Sequence, residues 1–212
     1  MRVKVKICGM RDPENIREVA TLQPDFMGFI FYKHSPRCVP DDWMLPEINE
    51  KILRVGIFVN EHPEIILKKV KRHRLDFVQL HGDEPVLVCD KLKAAGVGVI
   101  KVFSIDRYFD FRETSRYKGS VDYFLFDTKG KYYGGNAKTF DWNILQQYSQ
   151  EIPFLLSGGI TLDNIQSTAK LSGMNLHAID VNSGAEVSPG IKDVDQVKRI
   201  MENLKSKNEF YS

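Results

Sequence analysis

A single-domain α/β fold, a (β/α)8 barrel of the TIM type, is the architecture that this sequence predicts, and three observations carry the expectation. Short apolar runs alternate with amphipathic stretches along all 212 residues. Eight such runs recur at near-even intervals, each leaving room for one crossover helix between parallel strands. The junction after the first run, Cys8-Gly9-Met10-Arg11-Asp12, lacks the GxGxxG that an open dinucleotide-binding sheet would place there.

The runs span residues 3–7, 26–31, 53–59, 76–80, 98–103, 121–126, 153–156 and 178–181. They are rich in Val, Ile and Phe and too short for helices, so each reads as a strand. Between them lie helix signals. Asp12 followed by Pro13 reads as an N-cap with proline at the first helical position, ahead of the apolar stripe Ile16, Val19 and Ala20. Thr161 with Asp163 and Asn164 marks a second start. Asp193 opens the last helix, where Val194, Val197, Ile200, Met201 and Leu204 share a face. Residues 1–205 are therefore expected to form the barrel and 206–212 a frayed tail. No linker, low-complexity segment or alignable internal duplication interrupts the pattern.

Composition narrows the function. Hydrophobic residues make up 42%, enough for a full core, and 30 basic against 28 acidic residues leave a net charge of only +2. That balance argues against a nucleic-acid or membrane-surface partner. Cys8, Cys38 and Cys89 form neither a disulfide framework nor a zinc spacing, so a reducing, cytoplasmic setting with no metal is expected. The N-terminal stretch lacks a signal-peptide core, and no run of eighteen apolar residues suggests a membrane span.

In a barrel of this kind the chemistry sits at the C-terminal ends of the strands. Those positions here are Cys8, Tyr32–Arg37, Asn60, His81–Asp83, Phe103–Ser104, Asp127, Ser157–Gly159 and Asp180–Glu186. The segments LLSGGIT (155–161) and DVNSGAE (180–186) end the last two strands in small residues. Either they only make tight turns, or the amides of Gly159, Ser183 and Gly184 hold a phosphate, with Gly158 and Asp180 beside it. Two such loops at the seventh and eighth positions favour phosphate. Cys8 lies at the rim and Asp127 ends the sixth strand, so a thiol and a carboxyl can divide proton transfer. Strand parity puts Lys6 on the face of Cys8. Lys6 either lowers the thiol pKa or pairs with an inward carboxylate such as Asp180. Arg37 faces the same mouth and suits a carboxylate. His81 reads either as a substrate-facing group or as a satisfied strand-end histidine, the second being favoured. Gly134-Gly135, in the long loop 128–142, reads as a hinge over a ligand. Cys89, inside a helix, and Cys38, in a loop, receive no role.

Taken together, KICGM (6–10), GFIFYKHSPR (28–37), VGIFVN (55–60), VQLHGDE (78–84), LFDTKGKYYGGNAKTFDW (125–142), LSGGI (156–160) and DVNSGAEVSPGIKD (180–193) resemble the phosphoribosylanthranilate isomerase family of the tryptophan pathway. The resemblance runs in order over nearly the whole chain. It implies a cofactor-free Amadori rearrangement of N-(5'-phosphoribosyl)anthranilate. It further implies Cys8 as general base, Asp127 as general acid and Arg37 at the anthranilate end. The chain departs from the family pattern at Asn136-Ala137, where GGTG is usual, and at Asn182, where serine is more common.

Other readings make different demands. A ribulose-phosphate epimerase would want metal-binding histidines at several strand ends, and only His81 qualifies. The histidine-pathway isomerase would want an aspartate where Cys8 stands. An idle phosphosugar-binding module would bind without turnover. The expected partner is a small phosphoribosyl substrate, and the expected state a monomer, with a homodimer as the alternative.

Overall fold

The apolar runs fold into eight parallel strands: β1 Lys4–Ile7, β2 Phe26–Ile30, β3 Leu53–Phe58, β4 Phe77–Leu80, β5 Gly98–Ile105, β6 Tyr123–Thr128, β7 Phe154–Leu156 and β8 Leu176–Val181. They pair in sequence order and close into a barrel. At the seam, β1 pairs with β8 in the register that sets Lys6 opposite Asp180. The computed structural model describes residues 2–129, 139–149, 151–171 and 173–208. The predicted hinge Gly134-Gly135 and the departure Asn136-Ala137 lie outside the described residues. No described helix is long and apolar enough to cross a membrane.

The outer layer contains α1 Pro13–Thr21, α2 Pro63–His73, α3 Val86–Ala94 and α4 Val194–Asn208. Asp12 caps α1 as expected, its carboxylate accepting from the amides of Glu14 and Asn15. Asp193 does the same for α4, accepting from Gln196 N at 3.0 Å. A short antiparallel hairpin, β9 Glu186–Ser188 and β10 Ile191–Lys192, sits between β8 and α4.

The expectation of a helix after every strand needs correcting. After β2 the chain runs through turns to Leu53, because Pro36, Pro40 and Pro46 each remove a backbone donor and crowd a helical turn. Trp43 anchors that segment instead. Its Nε1 donates to Arg11 O at 2.9 Å and its ring lies 5.3 Å from that of Phe29. The described connections after β5, β6 and β7 carry 3-10 stretches, Phe111–Tyr117, Trp142–Gln147 and Ile165–Leu171, rather than α-helices. The last helix continues past Lys205 to Asn208, so the barrel's final element runs beyond the boundary expected from sequence.

The N-terminal end of the barrel is organised by a recurring Asp-aromatic pair. Asp25, Asp76 and Asp122 stand just before β2, β4 and β6, and their carboxylates accept from Val5 N (2.9 Å), Arg54 N (2.7 Å) and Val99 N (2.7 Å). The aromatics that follow, Phe26, Phe77 and Tyr123, point inward. A bulge in β8, where Phe154 pairs with Leu176 but Leu155 with Ala178, turns His177 inward as well. The rings then close a circle: Phe26–Phe77 6.0 Å, Phe77–Tyr123 5.7 Å, Tyr123–His177 4.3 Å and His177–Phe26 6.0 Å. One ring comes from each alternate strand, the layering that fills barrels of this type.

Two buried histidines make the fold sensitive to acid. Burial, followed by the charge of Lys4, lowers His177 to about 4 against the attraction of Asp25. Burial, then Lys69 and Arg72, lowers His73 to about 4. Above pH ~6.5 both rings are neutral whether the chain is folded or not, so the fold has its full stability. Between ~6.5 and ~4 the unfolded chain takes up protons that the folded chain refuses, and each ring costs on the order of 3 kcal/mol across the window. Urea unfolding midpoints should therefore fall as pH drops from 7 to 4.5. His177→Phe should flatten that slope relative to wild type; an unchanged slope would rule His177 out as a source.

Candidate active site

Strand alternation sends one set of side chains to the mouth of the barrel, where a cavity of about 430 Å³ opens at the C-terminal strand ends. Cys8, Arg37, Asp127, Gly158, Gly159, Asp180, Ser183 and Gly184 all line it. Loops from β1, β2, β6, β7 and β8 thus converge on one space.

Lys6 and Cys8 share the inward face of β1, as parity predicts. The Lys6 side chain is fully buried and its Nζ donates to Asp180 Oδ1 at 2.9 Å. The structural alternative for Lys6 is therefore realised. Burial opposes the ammonium, but Asp180 and Cys8 outweigh it and hold the Lys6 pKa up. Burial pushes the Cys8 thiol up; Lys6 pulls it down, Asp180 pushes it up again, and the net direction is upward. Lys6 thus acts in the expected direction but does not by itself make Cys8 a thiolate, since desolvation is larger and Asp180 shares the cation.

Asp127 is buried at the end of β6. Its Oδ1 accepts from Thr128 N at 2.8 Å, and its Oδ2 lies 3.4 Å from His81 Nε2. His81 is held in turn by Gln79, whose Nε2 lies 3.4 Å from His81 Nδ1. Both line the cavity. His81 is thus at once a partnered strand-end residue and a cavity-facing one, and parity along β4 was the signal that could have shown it. Below it, Glu84 and Lys101 form a buried pair at 2.9 Å. Glu84 also accepts from Asn60 N and Gly82 N, at 2.8 and 3.0 Å, fixing the loops after β3 and β4.

The glycine loops meet directly. Gly158 and Gly159 adopt φ of +92° and +62°, a region that glycine enters at little cost. Gly184 approaches so closely that an added Cβ would lie 1.8 Å from Ile160 O. The loops after β7 and β8 therefore interlock into one cup.

Arg37 faces the mouth but is not solitary. Its Nε donates to Glu186 Oε1 and Oε2 at 2.9 and 3.0 Å, and its Nη2 to Oε2 at 2.5 Å. The forked pairing expected for a bound carboxylate is thus made with the chain's own Glu186. Lys192, also buried, reaches the same carboxylate at 2.6 Å. Glu186 and Lys192 were missed as participants, since nothing local in sequence connects them to Arg37. Among the described residues, no group of three or more His, Cys, Asp or Glu is placed to hold a metal ion.

Comparison with known proteins agrees with this geometry. The family model for N-(5'phosphoribosyl)anthranilate (PRA) isomerase matches residues 5–203. An N-(5'-phosphoribosyl)anthranilate isomerase from Phocaeicola vulgatus is 47% identical, over 96% of this chain and 98% of that protein. One from Parabacteroides distasonis is 43% identical, over 94% and 92%. The crystal structure of phosphoribosyl anthranilate isomerase from Thermotoga maritima superposes with a TM-score of 0.84 at 34% identity, covering 96% of this chain and 99% of that one. Another crystal structure of the enzyme, in complex with reduced 1-(o-carboxyphenylamino)-1-deoxyribulose 5-phosphate, gives a TM-score of 0.79 at 32% identity, covering 96% and 99%. With this barrel and this convergence of strand ends, the chain belongs to the N-(5'-phosphoribosyl)anthranilate isomerase family.

Proposed function

We propose that this chain converts N-(5'-phosphoribosyl)anthranilate to 1-(2-carboxyphenylamino)-1-deoxyribulose 5-phosphate in tryptophan biosynthesis, with Asp127 as general acid and Cys8 as general base. The observation that carries the assignment is spatial. The two side chains enter one cavity from β6 and β1, and the glycine cup of β7 and β8 lies between them.

The backbone amides of Gly159, Ser183 and Gly184, with Gly158 alongside, take the phosphate; neutral donors aimed inward suit a dianion. Anchored there, the sugar spans the space between acid and base. Asp127 gives its proton to the ring oxygen as the C1–O bond breaks, and the aryl nitrogen lone pair forms the C1–N double bond. Cys8, as thiolate, removes the C2 proton. The C–H electron pair becomes a C1–C2 double bond, and the electrons of the C1–N double bond return to nitrogen. The enolamine then gains a proton at C1 and loses one from the C2 hydroxyl, leaving the ketone. Asp180 offers Oδ2 to a sugar hydroxyl while Oδ1 stays with Lys6. Arg37 meets the anthranilate carboxylate through Nη1, the nitrogen not turned to Glu186. All the residues given a role belong to one chain, which supports reading the enzyme as a monomer with a homodimer as the alternative. Cys8, Cys38 and Cys89 are unpaired, which fits a reducing, cytoplasmic setting.

A fluorescence assay on freshly prepared substrate tests the assignment. Cys8→Ala and Asp127→Ala should each lower kcat by ~10²–10⁴. Full activity in either variant would remove that residue from the mechanism. Gly184→Ala, which forces Ile160 away, should chiefly raise KM; an unchanged KM would displace the phosphate from the cup.

A further inference from the structure

Lys192 is held more firmly than a hairpin residue needs. Its backbone is clamped by Asn15 of α1, whose Oδ1 accepts from Lys192 N at 2.8 Å and whose Nδ2 donates to Lys192 O at 2.9 Å. Its side chain is fully buried, and Nζ donates to Glu186 Oε1 at 2.6 Å and to Asn182 Oδ1 at 2.9 Å. Asn182 in turn presses on the backbone beside the proposed base. A Cβ on Gly9 would lie 2.6 Å from Asn182 Oδ1 and 2.8 Å from Arg37 Cδ. One ammonium thus links β9 to the loop after β8, and Asn182 of that loop packs against Gly9 after β1.

The charges around Cys8 do not cancel. Lys6 is paired with Asp180, while Arg37 and Lys192 share the single carboxylate of Glu186. Three cations meet two carboxylates on this side of the cavity. Across it stand Asp127 and His81. The uncompensated positive charge is what a thiolate at Cys8 would neutralise. Burial lowers the Lys192 pKa, Glu186 and Cys8 raise it and Arg37 lowers it again, with the net direction downward; the ammonium and a Cys8 thiolate therefore favour each other.

We propose that Lys192 is a positioning residue for this reaction: pinned by Asn15, Asn182 and Glu186, its buried ammonium supplies the excess positive charge that lets Cys8 release its proton to water. The proposal rests on the reading of Cys8 as the base. Lys192 touches no reacting atom; it acts through the thiol. Its field favours the Cys8 thiolate against the desolvation that pushes the thiol up. Glu186 sets the strength of that field by sharing its charge between Lys192 and Arg37.

The test follows iodoacetamide alkylation of Cys8 against pH, read by peptide mass spectrometry on the full chain, beside steady-state kinetics and thermal melting. In Lys192→Met the apparent Cys8 pKa should rise by roughly one unit, on the scale of a neighbouring charge, and the acid limb of kcat/KM should move with it. In Lys192→Arg, which keeps a fixed charge at that position, the Cys8 pKa should stay near its wild-type value. A shift in the neutral variant that the charge-preserving variant lacks is not what general loosening produces. A Cys8 pKa unmoved in Lys192→Met, whatever its melting temperature, would overturn the proposal, as would an equal rise in Lys192→Arg. If Lys192→Met does not fold, Lys192→Gln, which keeps hydrogen-bonding capacity, carries the same measurement. A fully active Cys8→Ala would sink the base assignment alone, since alkylation reads the thiol independently of turnover.

Discussion

The buried ion pair between Lys6 and Asp180 is the interaction on which the mouth of the barrel depends. It spans the seam where the first strand meets the last, at their shared register position. Neither charge can stay there without the other. Removing one partner from such a pair costs on the order of 3–5 kcal/mol, because the survivor is left buried and unpaired. The pair fixes which face of β1 is inward, and therefore that Cys8, two residues further on, opens into the cavity. It also fixes the rotation of β8, which delivers Asn182 and Ser183 to the rim. Closure of the fold and placement of the Cys8 thiol are one constraint.

A second buried pair, Lys101 with Glu84, has an equivalent part outside the strands. It ties the loops after β3 and β4 to β5 through Asn60 N and the Gly82 backbone. His81 leaves that braced loop to meet Asp127. Asp127 and Cys8, the proposed acid and base, are thus each steadied by a neighbouring lysine–carboxylate pair, although the two pairs lie on different sides of the barrel wall. The proposed phosphate cup is made differently, from loops that meet at Gly184 and Ile160. On that reading charge serves the chemistry and backbone the anchor.

Much of this was legible in the sequence, because it is encoded over short distances. Strand positions follow from runs of Val, Ile and Phe. The caps at Asp12 and Asp193 follow from what comes directly after them. The shared face of Lys6 and Cys8 follows from alternation alone. What escaped depends on pairings remote in sequence. Arg37 and Glu186 are 149 residues apart, and no local spacing announces their bond. The inward turn of His177 needs a bulge that exists only once β7 and β8 are paired. The Asp-aromatic pairs at 25–26, 76–77 and 122–123 were present to be read, but two-residue units carry too little pattern until the fold gives them a common position. The missing helix after β2 was signalled by three prolines that the even spacing of the strands obscured.

The circle of Phe26, Phe77, Tyr123 and His177 has one more consequence. It stoppers the barrel at the end remote from the chemistry, so among the described residues the chamber opens toward the C-terminal strand ends alone. Whatever is made inside must leave by the way the starting compound came in. Arrival and departure cannot overlap in time, and a lingering product bars the next molecule. An isomerase tolerates this arrangement well, since one molecule enters and one leaves. A reaction that joined two compounds in the same vestibule would have to queue them.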